Sequence, residues 1–325
     1  MENLSTCSKV RWCNFESMNV LLIGSGGREH ALAWKLLQSS FLTQLFVAPG
    51  NAGTAELATN LKVDVNNHNA VSRAVKKHNI GLVVVGPEAP LVNGLVDHLQ
   101  DCGKHPELVV VGPRAAGAQL EGSKSFAKEF MKRHNIPTAA YGAFDGEQVK
   151  EALAFLAKMK APYVLKADGL AAGKGVIITD DLSEAESVVK DMLSGSSFGD
   201  AGRRVVIEQF MDGIECSMFV VTDGKAYHLL PSAKDYKRIG EGDTGANTGG
   251  MGAVSPVPFM DAEFHEKAIN QIIIPTVKGL AADDIPYNGF IFFGLMKVGG
   301  DPYAVSYTHL RAHETLRYLV CRLLL

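Results

Sequence analysis

The sequence has no cysteine pair at C-x-x-C spacing: its five cysteines, Cys7, Cys13, Cys102, Cys216 and Cys321, are odd in number and scattered. That pattern excludes a disulfide framework and a thiolate zinc site, and it fits a reducing, cytoplasmic setting. The ten histidines form no H-E-x-x-H motif, so no helical zinc site is indicated. No run approaches the roughly 18 apolar residues that a membrane-spanning helix requires. The formal net charge is only -3 with both signs interspersed, which leaves neither the basic field of a nucleic-acid binder nor the polybasic patch of a membrane-surface protein. Ser25 and Ser123 have no visible His and Asp partners for nucleophilic catalysis. These absences leave a soluble globular protein, expected to be a monomer, whose partners are small molecules.

At about 150 residues per domain the chain has room for two domains, and 46% hydrophobic content is ample for two cores. Residues 1–17 are small and polar with no apolar h-region, and a disordered extension is expected there. From residue 18 short apolar runs alternate with helical patterns: strands at 20–23, 45–48 and 82–85, helices at 28–38 and 70–78. This alternation predicts an α/β fold whose first domain, 18–122, is a doubly wound parallel sheet. The runs at 82–85 and 108–111 are continuously apolar, as parallel strands covered on both faces must be. Each closes on a Gly-Pro step, Gly86-Pro87 and Gly112-Pro113, at the strand end where open α/β sheets bind ligands. A second, α+β domain is expected over 123–305. It starts with a helix at 123–134, has a boundary at Asn135-Ile136-Pro137 and a smaller unit over 138–193, then strands at 205–209, 215–222 and 225–230. Residues 222–225 read as a hairpin turn. The Gly-rich stretch 232–258 shows no periodicity and reads as a long functional or disordered loop.

Four segments carry chemistry. Gly24-Ser25-Gly26-Gly27-Arg28-Glu29 sits between a strand and a helix, where bare N–H groups make an anion site, or simply a tight turn. It is not a dinucleotide fingerprint, because Glu29 stands where the third glycine belongs. The second, 166–175 (KADGLAAGKG), lies between two strands and misses the P-loop spacing by one residue. It suits a small-residue flap whose amides close over a triphosphate while Lys166 on the strand donates a charge-assisted hydrogen bond; a plain hairpin loop is the alternative. In the third, Glu208-Gln209-Phe210-Met211 with Glu215 could frame a purine and its ribose, although a Glu after a turn is commonly solvated. In the fourth, the cations Lys234, Lys237 and Arg238 beside the glycine-rich 243–252 could hold a phosphorylated or carboxylated substrate, or form a charged surface loop.

Taken in order, GSGGREHALAW (24–34), APGNAGT (48–54), VVGPEAPLV (84–92), QLEGSK (119–124), LKADGLAAGKGV (165–176) and DTGANTGGMGA (243–253) closely resemble the glycinamide ribonucleotide synthetase (phosphoribosylamine–glycine ligase) family of the ATP-grasp superfamily. The resemblance runs from about residue 19 to 305. It implies ATP-dependent ligation of glycine to 5-phosphoribosylamine through glycyl phosphate. Gly24, Gly26, Gly27, Arg28, Glu29, Gly86, Pro87 and Glu88 would hold phosphoribosylamine. Lys124 and Lys166 would contact ATP phosphates under a flap containing Gly169, Gly173, Lys174 and Gly175. Glu208, Gln209, Phe210, Met211 and Glu215 would hold adenine and ribose. Asp235, Lys237, Asn247, Thr248, Gly249 and Gly250 would face glycine and the sugar phosphate, with Lys166, Lys174 and Arg238 at the reacting groups.

After Val305 the family pattern should continue as I-E-[FY]-N and R-x-G-D-P-E, whose glutamate and asparagine ligate Mg2+ or Mn2+ in the family. The sequence instead reads SYTHLRAHET, so no metal ligand carries over, 306–325 reads as a tail foreign to the family, and the ATP-grasp domain reads as incomplete. Two further readings stay open: another ATP-grasp carboxylate–amine ligase, and a nucleotide-binding fragment without turnover.

Overall fold

The computed structural model describes residues 17–170, 175–197, 203–236, 238–242, 244–247 and 252–308. The chain opens with β1 (Met18–Gly24), α1 (Gly27–Leu36), β2 (Leu42–Pro49), α2 (Ala52–Leu57), β3 (Thr59–Asn60), α3 (His68–Lys77) and β4 (Ile80–Val85). There follow α4 (Glu88–Val92), α5 (Leu95–Asp101), β5 (Val109–Val111), α6 (Ala115–Gly122) and α7 (Lys124–Arg133). Strands β1 to β5 form one sheet of order β3-β2-β1-β4-β5, parallel throughout. Alternate residues of its strands feed two cores. Leu21, Ile23, Phe46, Ala48, Val83 and Val85 pack with α3 and α5, while Val20, Leu22, Leu45, Val47 and Val84 pack under α1. The continuous apolar runs have this origin: neither face of the sheet meets water.

The smaller α+β unit contains β6 (Tyr141–Asp145), α8 (Val149–Leu156), β7 (Tyr163–Ala167), β8 (Val176–Thr179) and α9 (Leu182–Leu193). Its antiparallel sheet, ordered β6-β9-β7-β8, also takes in β9 (Arg204–Gln209), beyond the stretch 138–193 expected from sequence. A larger antiparallel sheet combines β10 (Ile214–Thr222) and β11 (Tyr227–Asp235) with later strands. Between and after them come β12 (Arg238–Gly240), β13 (Thr244–Asn247), β14 (Ala253–Val254), α10 (Ala262–Ala268), a π-helical turn (Ile269–Ile273), α11 (Ile274–Ala282), β15 (Gly289–Val298) and β16 (Asp301–Thr308). The larger sheet has order β14-β11-β10-β15-β16. Its Phe219, Leu230, Ala233 and Phe292 join the α1-side core of the parallel sheet, so the two domains share a hydrophobic interior.

One expectation needs correction. The stretch 232–258 is not a continuous loop: β11 runs to Asp235, and β12 to β14 follow. The register with β10 shifts between Ser217, opposite Ala233, and Phe219, opposite Leu230, so two residues of β11 face one of β10. That bulge, at Pro231-Ser232, breaks the period-two pattern by which a strand is read. Sheet structure also continues past Val305, since β16 pairs with β15 through Thr308. The hairpin at 222–225 forms as expected, with the Asp223 carboxylate accepting from the Lys225 and Ala226 amides.

Candidate functional site

The first group of residues gathers at the C-terminal ends of β1 and β4. Gly26 is the N-cap of α1, and its N–H donates to Glu29 Oε2 at 2.6 Å. Arg28 Nε donates to Glu29 Oε1 at 2.6 Å, and both side chains are buried. An anion does sit at this helix start, but it is the chain's own carboxylate. Arg28 and Glu29, expected at a substrate, are thus paired with each other. The glycines make room for them: a Cβ on Gly24 would lie 2.6 Å from Glu29 Cδ, and one on Gly86 would lie 2.1 Å from Glu29 Oε1. Asn51 ties in the neighbouring loop: its Nδ2 donates to Ser25 O at 2.8 Å while its Oδ1 caps α2 at Thr54 N. Asn51→Ala is expected to cost about 1–2 kcal/mol, measurable as a lowered urea midpoint, because it removes both the cap and the strut. Glu88, at the start of α4, lines a small enclosed cavity with Glu121, Tyr287 and Tyr307, which places it where the two domains meet.

The second group lies on the smaller sheet. Lys166 is opposite Val206 and Glu208 opposite Val164 in the β7/β9 register, so the two side chains are diagonal neighbours on one face. Lys166 Nζ donates to Glu208 Oε2 at 2.9 Å. Helix α7 brings a second ammonium to the same oxygen, Lys128 Nζ at 3.1 Å. Lys128 also donates to Thr138 Oγ1 at 2.7 Å, and that hydroxyl donates to Ala304 O on β16. Burial, the largest influence, pushes the Lys128 ammonium down to about 8 against the opposing pull of Glu208. Burial alone would raise the Glu208 carboxyl, but the Lys166 and Lys128 charges outweigh it and hold the group below its usual value. Glu208 Oε1 is buried and has no hydrogen-bond partner among the described residues. An unpaired buried acceptor costs about 1–3 kcal/mol, so this oxygen fits a site that receives a ligand N–H.

The root of the expected flap is pinned to α7. Asp168 Oδ1 accepts from Ser125 N at 2.5 Å, and its Oδ2 from the hydroxyls of Ser123 and Ser125, so a carboxylate covers the start of that helix. Lys124 Nζ, expected to meet phosphates, donates here to the carbonyls of Asp168 and Gly169 at 3.5 and 3.0 Å. Burial lowers its ammonium, and the charges of Asp168, Lys166 and Glu208 all act on it, so Lys124 stands in the same electrostatic cluster. Ala167 N donates to Gly175 O at 2.8 Å, closing the strand pair around the segment 168–174.

Gln209 and Phe210 are exposed at the end of β9, Met211 is half-buried beyond it, and Glu215 is the second residue of β10. Asp235 ends β11, and β12 pairs Arg238 with Asn247 on β13. Gly173, Lys174, Lys237, Thr248, Gly249 and Gly250 lie outside the described residues, as do residues 1–16 and 309–325. Among the described residues no group of three or more His, Cys, Asp or Glu side chains could hold a metal ion, and no helix is long and apolar enough to cross a membrane.

Comparison with known families decides the grouping. Residues 18–121 match the N domain of phosphoribosylglycinamide synthetase and residues 122–311 match its ATP-grasp (A) domain. The chain belongs to the phosphoribosylglycinamide synthetase family. The match of this ATP-grasp ligase family passes Val305, where likeness was expected to end. The chain is 52% identical over 293 residues to the phosphoribosylamine–glycine ligase of Pasteurella multocida, covering 89% of this chain and 67% of the relative. It is 53% identical over 281 residues to that of Pseudomonas aeruginosa, covering 86% and 64%. The chain therefore spans about two thirds of the length of these synthetases. The crystal structure of the Thermotoga maritima phosphoribosylamine–glycine ligase superposes with a TM-score of 0.75 at 33% identity, over 90% of this chain and 69% of that one. A biotin carboxylase from Campylobacter jejuni, solved as a β,γ-ATP complex, shares the fold at TM-score 0.65 and 17% identity, over 91% of this chain and 66% of that one.

Lys128 is the member of the site that the sequence reading missed. A lysine in a helix reading KSFAKEFMKR looks solvated. The available signal was its position four residues after Lys124, on the stripe that also buries Ala127 and Met131.

Proposed function

We propose that the chain binds ATP on the smaller sheet and serves the ligation of glycine to 5-phosphoribosylamine, giving glycinamide ribonucleotide, ADP and phosphate in the cytoplasm. The observation that carries the reading is the buried cluster of Lys128, Glu208 and Lys166, with Lys124 beside it and one Glu208 oxygen left unpaired at the root of a small-residue loop. A carboxylate is a poor electrophile, and ATP supplies the remedy by phosphorylating glycine to an acyl phosphate whose carbonyl the sugar amine attacks. Such transfer depends on positioning and charge neutralisation more than on a protein nucleophile. Lys166 and Lys124 supply fixed positive charge for the phosphates, and Glu208 Oε1 accepts an N–H from the adenine edge. Phe210 and Met211 flank the ring, and Glu215 accepts from ribose. Gly24, Gly26, Gly27 and Gly86 to Glu88 receive the sugar phosphate on a loop stiffened by Arg28 and Glu29. Asp235, Arg238 and the glycine-rich turn containing Asn247 face glycine and the sugar.

A second reading is a chain that binds nucleotide without turnover, and it is favoured by the sequence after Val305, SYTHLRAHET, which lacks the glutamate and asparagine that the resemblance implies for Mg2+ or Mn2+. Isothermal titration of the 325-residue chain with ATP is expected to give saturable heat. Lys166→Ala is expected to weaken binding about 10- to 100-fold, the loss of one charge-assisted hydrogen bond. No heat with ATP, or unchanged affinity in Lys166→Ala, would refute nucleotide binding at this site. Phosphate release that requires glycine selects the ligase, release with another carboxylate selects a different ATP-grasp ligase, and binding without release selects the second reading.

A further inference from the structure

We infer that Lys128 is a specificity-positioning residue: by holding Glu208 Oε2 together with Lys166, it turns Oε1 toward the base site as a fixed acceptor that favours a 6-aminopurine nucleotide over a 6-oxopurine one. The inference rests on the nucleotide reading above and adds to it a residue that touches no ligand.

The geometry carries the argument. Lys128 is 2% exposed, so its ammonium cannot reach a polyphosphate in the open site. Its neighbours are instead Glu208 Oε2, Thr138 Oγ1 and the Tyr141 ring, whose centroid lies 5.7 Å away. Each is secured by another element. Thr138 is bonded to Ala304 on β16, and the Tyr141 hydroxyl donates to Glu129 on α7 itself. A glutamate bonded by one ammonium can turn about its terminal torsion, which is broad and roughly two-fold, and offer that cation either oxygen. Bonded at a single oxygen by two ammoniums from different elements, β7 and α7, it cannot turn without breaking one of the two. The result is the observed state, with Oε2 doubly occupied at 2.9 and 3.1 Å and Oε1 buried without a partner. A buried acceptor held in that way rewards an amino group and opposes a carbonyl oxygen, because two acceptors cannot satisfy each other. Without Lys128, the carboxylate shares the Lys166 ammonium between both oxygens, and the fixed acceptor is lost.

The test is the ratio of dissociation constants for ATP and inosine triphosphate, measured on the 325-residue chain by titration calorimetry. The wild type is expected to prefer ATP by about tenfold or more, the order of effect of one buried acceptor left unsatisfied, and Lys128→Met to bring the ratio to within about threefold. Lys128→Arg, which keeps a cation at Oε2, is expected to retain the preference, and Glu208→Gln to lose it as Lys128→Met does. Equal weakening of both nucleotides in Lys128→Met, or an unchanged ratio, would overturn the role given to Lys128 while an altered ratio in Glu208→Gln left the nucleotide reading standing. Wild-type protein that binds neither nucleotide would overturn both. Should Lys128→Met not fold, Lys128→Leu, which likewise removes the N–H donors, is read in the same way.

Discussion

Glu208→Ala is expected to cost about 3 kcal/mol or more of stability, read as a lowered urea midpoint by circular dichroism, and to remove most of the affinity for ATP. The substitution strips the shared counterion from two buried ammonium groups, and breaking a buried pair from one side leaves an uncompensated charge. Lys128 limits the damage by releasing its proton, since burial already holds its ammonium down to about 8. The pH dependence has a definite sign. The Glu208 carboxyl is depressed in the fold by Lys166 and Lys128, against the upward push of burial. Its contribution is therefore complete above the unfolded value of about 4.3 and disappears as pH falls through the lower folded value. The gap in urea midpoint between wild type and Glu208→Gln should accordingly be widest near neutral pH and close in acid. A gap that widened below about pH 4 would contradict the assigned ion pairs.

Gly86→Ala carries the second large effect, expected at about 3 kcal/mol, because it acts on a buried charge through a clash. The added Cβ would lie 2.1 Å from Glu29 Oε1 and 2.9 Å from the Ile23 carbonyl. The side chain must yield, since the Ile23 carbonyl accepts the Gly86 N–H at 3.0 Å and belongs to the sheet. Moving Glu29 breaks its bond to Gly26 N and its pair with Arg28, both at 2.6 Å. A double-mutant cycle measures the coupling: in a Glu29→Ala background the added cost of Gly86→Ala should shrink by more than about 1 kcal/mol. Strict additivity would show that Gly86 is glycine for another reason.

These two sites also show how far the sequence could be read. The parallel sheet was legible because strands buried on both faces lose all polar alternation, as 20–23, 82–85 and 108–111 do, and because Gly86-Pro87 and Gly112-Pro113 mark their ends. The strands on either side of the small-residue segment were legible because the apolar runs 163–165 and 176–179 flank it, and they form β7 and β8. The direction of each charged side chain was not. Glu29 and Arg28 looked like ligand-facing residues of an anion loop, yet they face each other, a matter of rotamer and burial that spacing does not encode. Glu208 stood out only as one member of a segment framing a purine and its ribose, and only the assembled sheet sets it diagonal to Lys166. Lys128 was invisible for the same reason: its partners Thr138 and Glu208 come from other elements, Thr138 is held in turn by Ala304, and the linker after α7 and strand β16 must both be in place before that position is dry. The strand content of 232–258 was hidden by the bulge at Pro231-Ser232.

The interior shared between the two domains bears on how the chain is made. One flank of the parallel sheet, with Val20, Leu22, Leu45, Val47 and Val84, shares its packing with Phe219, Leu230 and Phe292 from much later in the sequence. During synthesis at roughly 5–20 residues per second, the first domain therefore waits many seconds on the ribosome with part of this flank uncovered. Nascent chains halted before Phe292 should accordingly be richer in aggregation and chaperone capture than chains halted just after it.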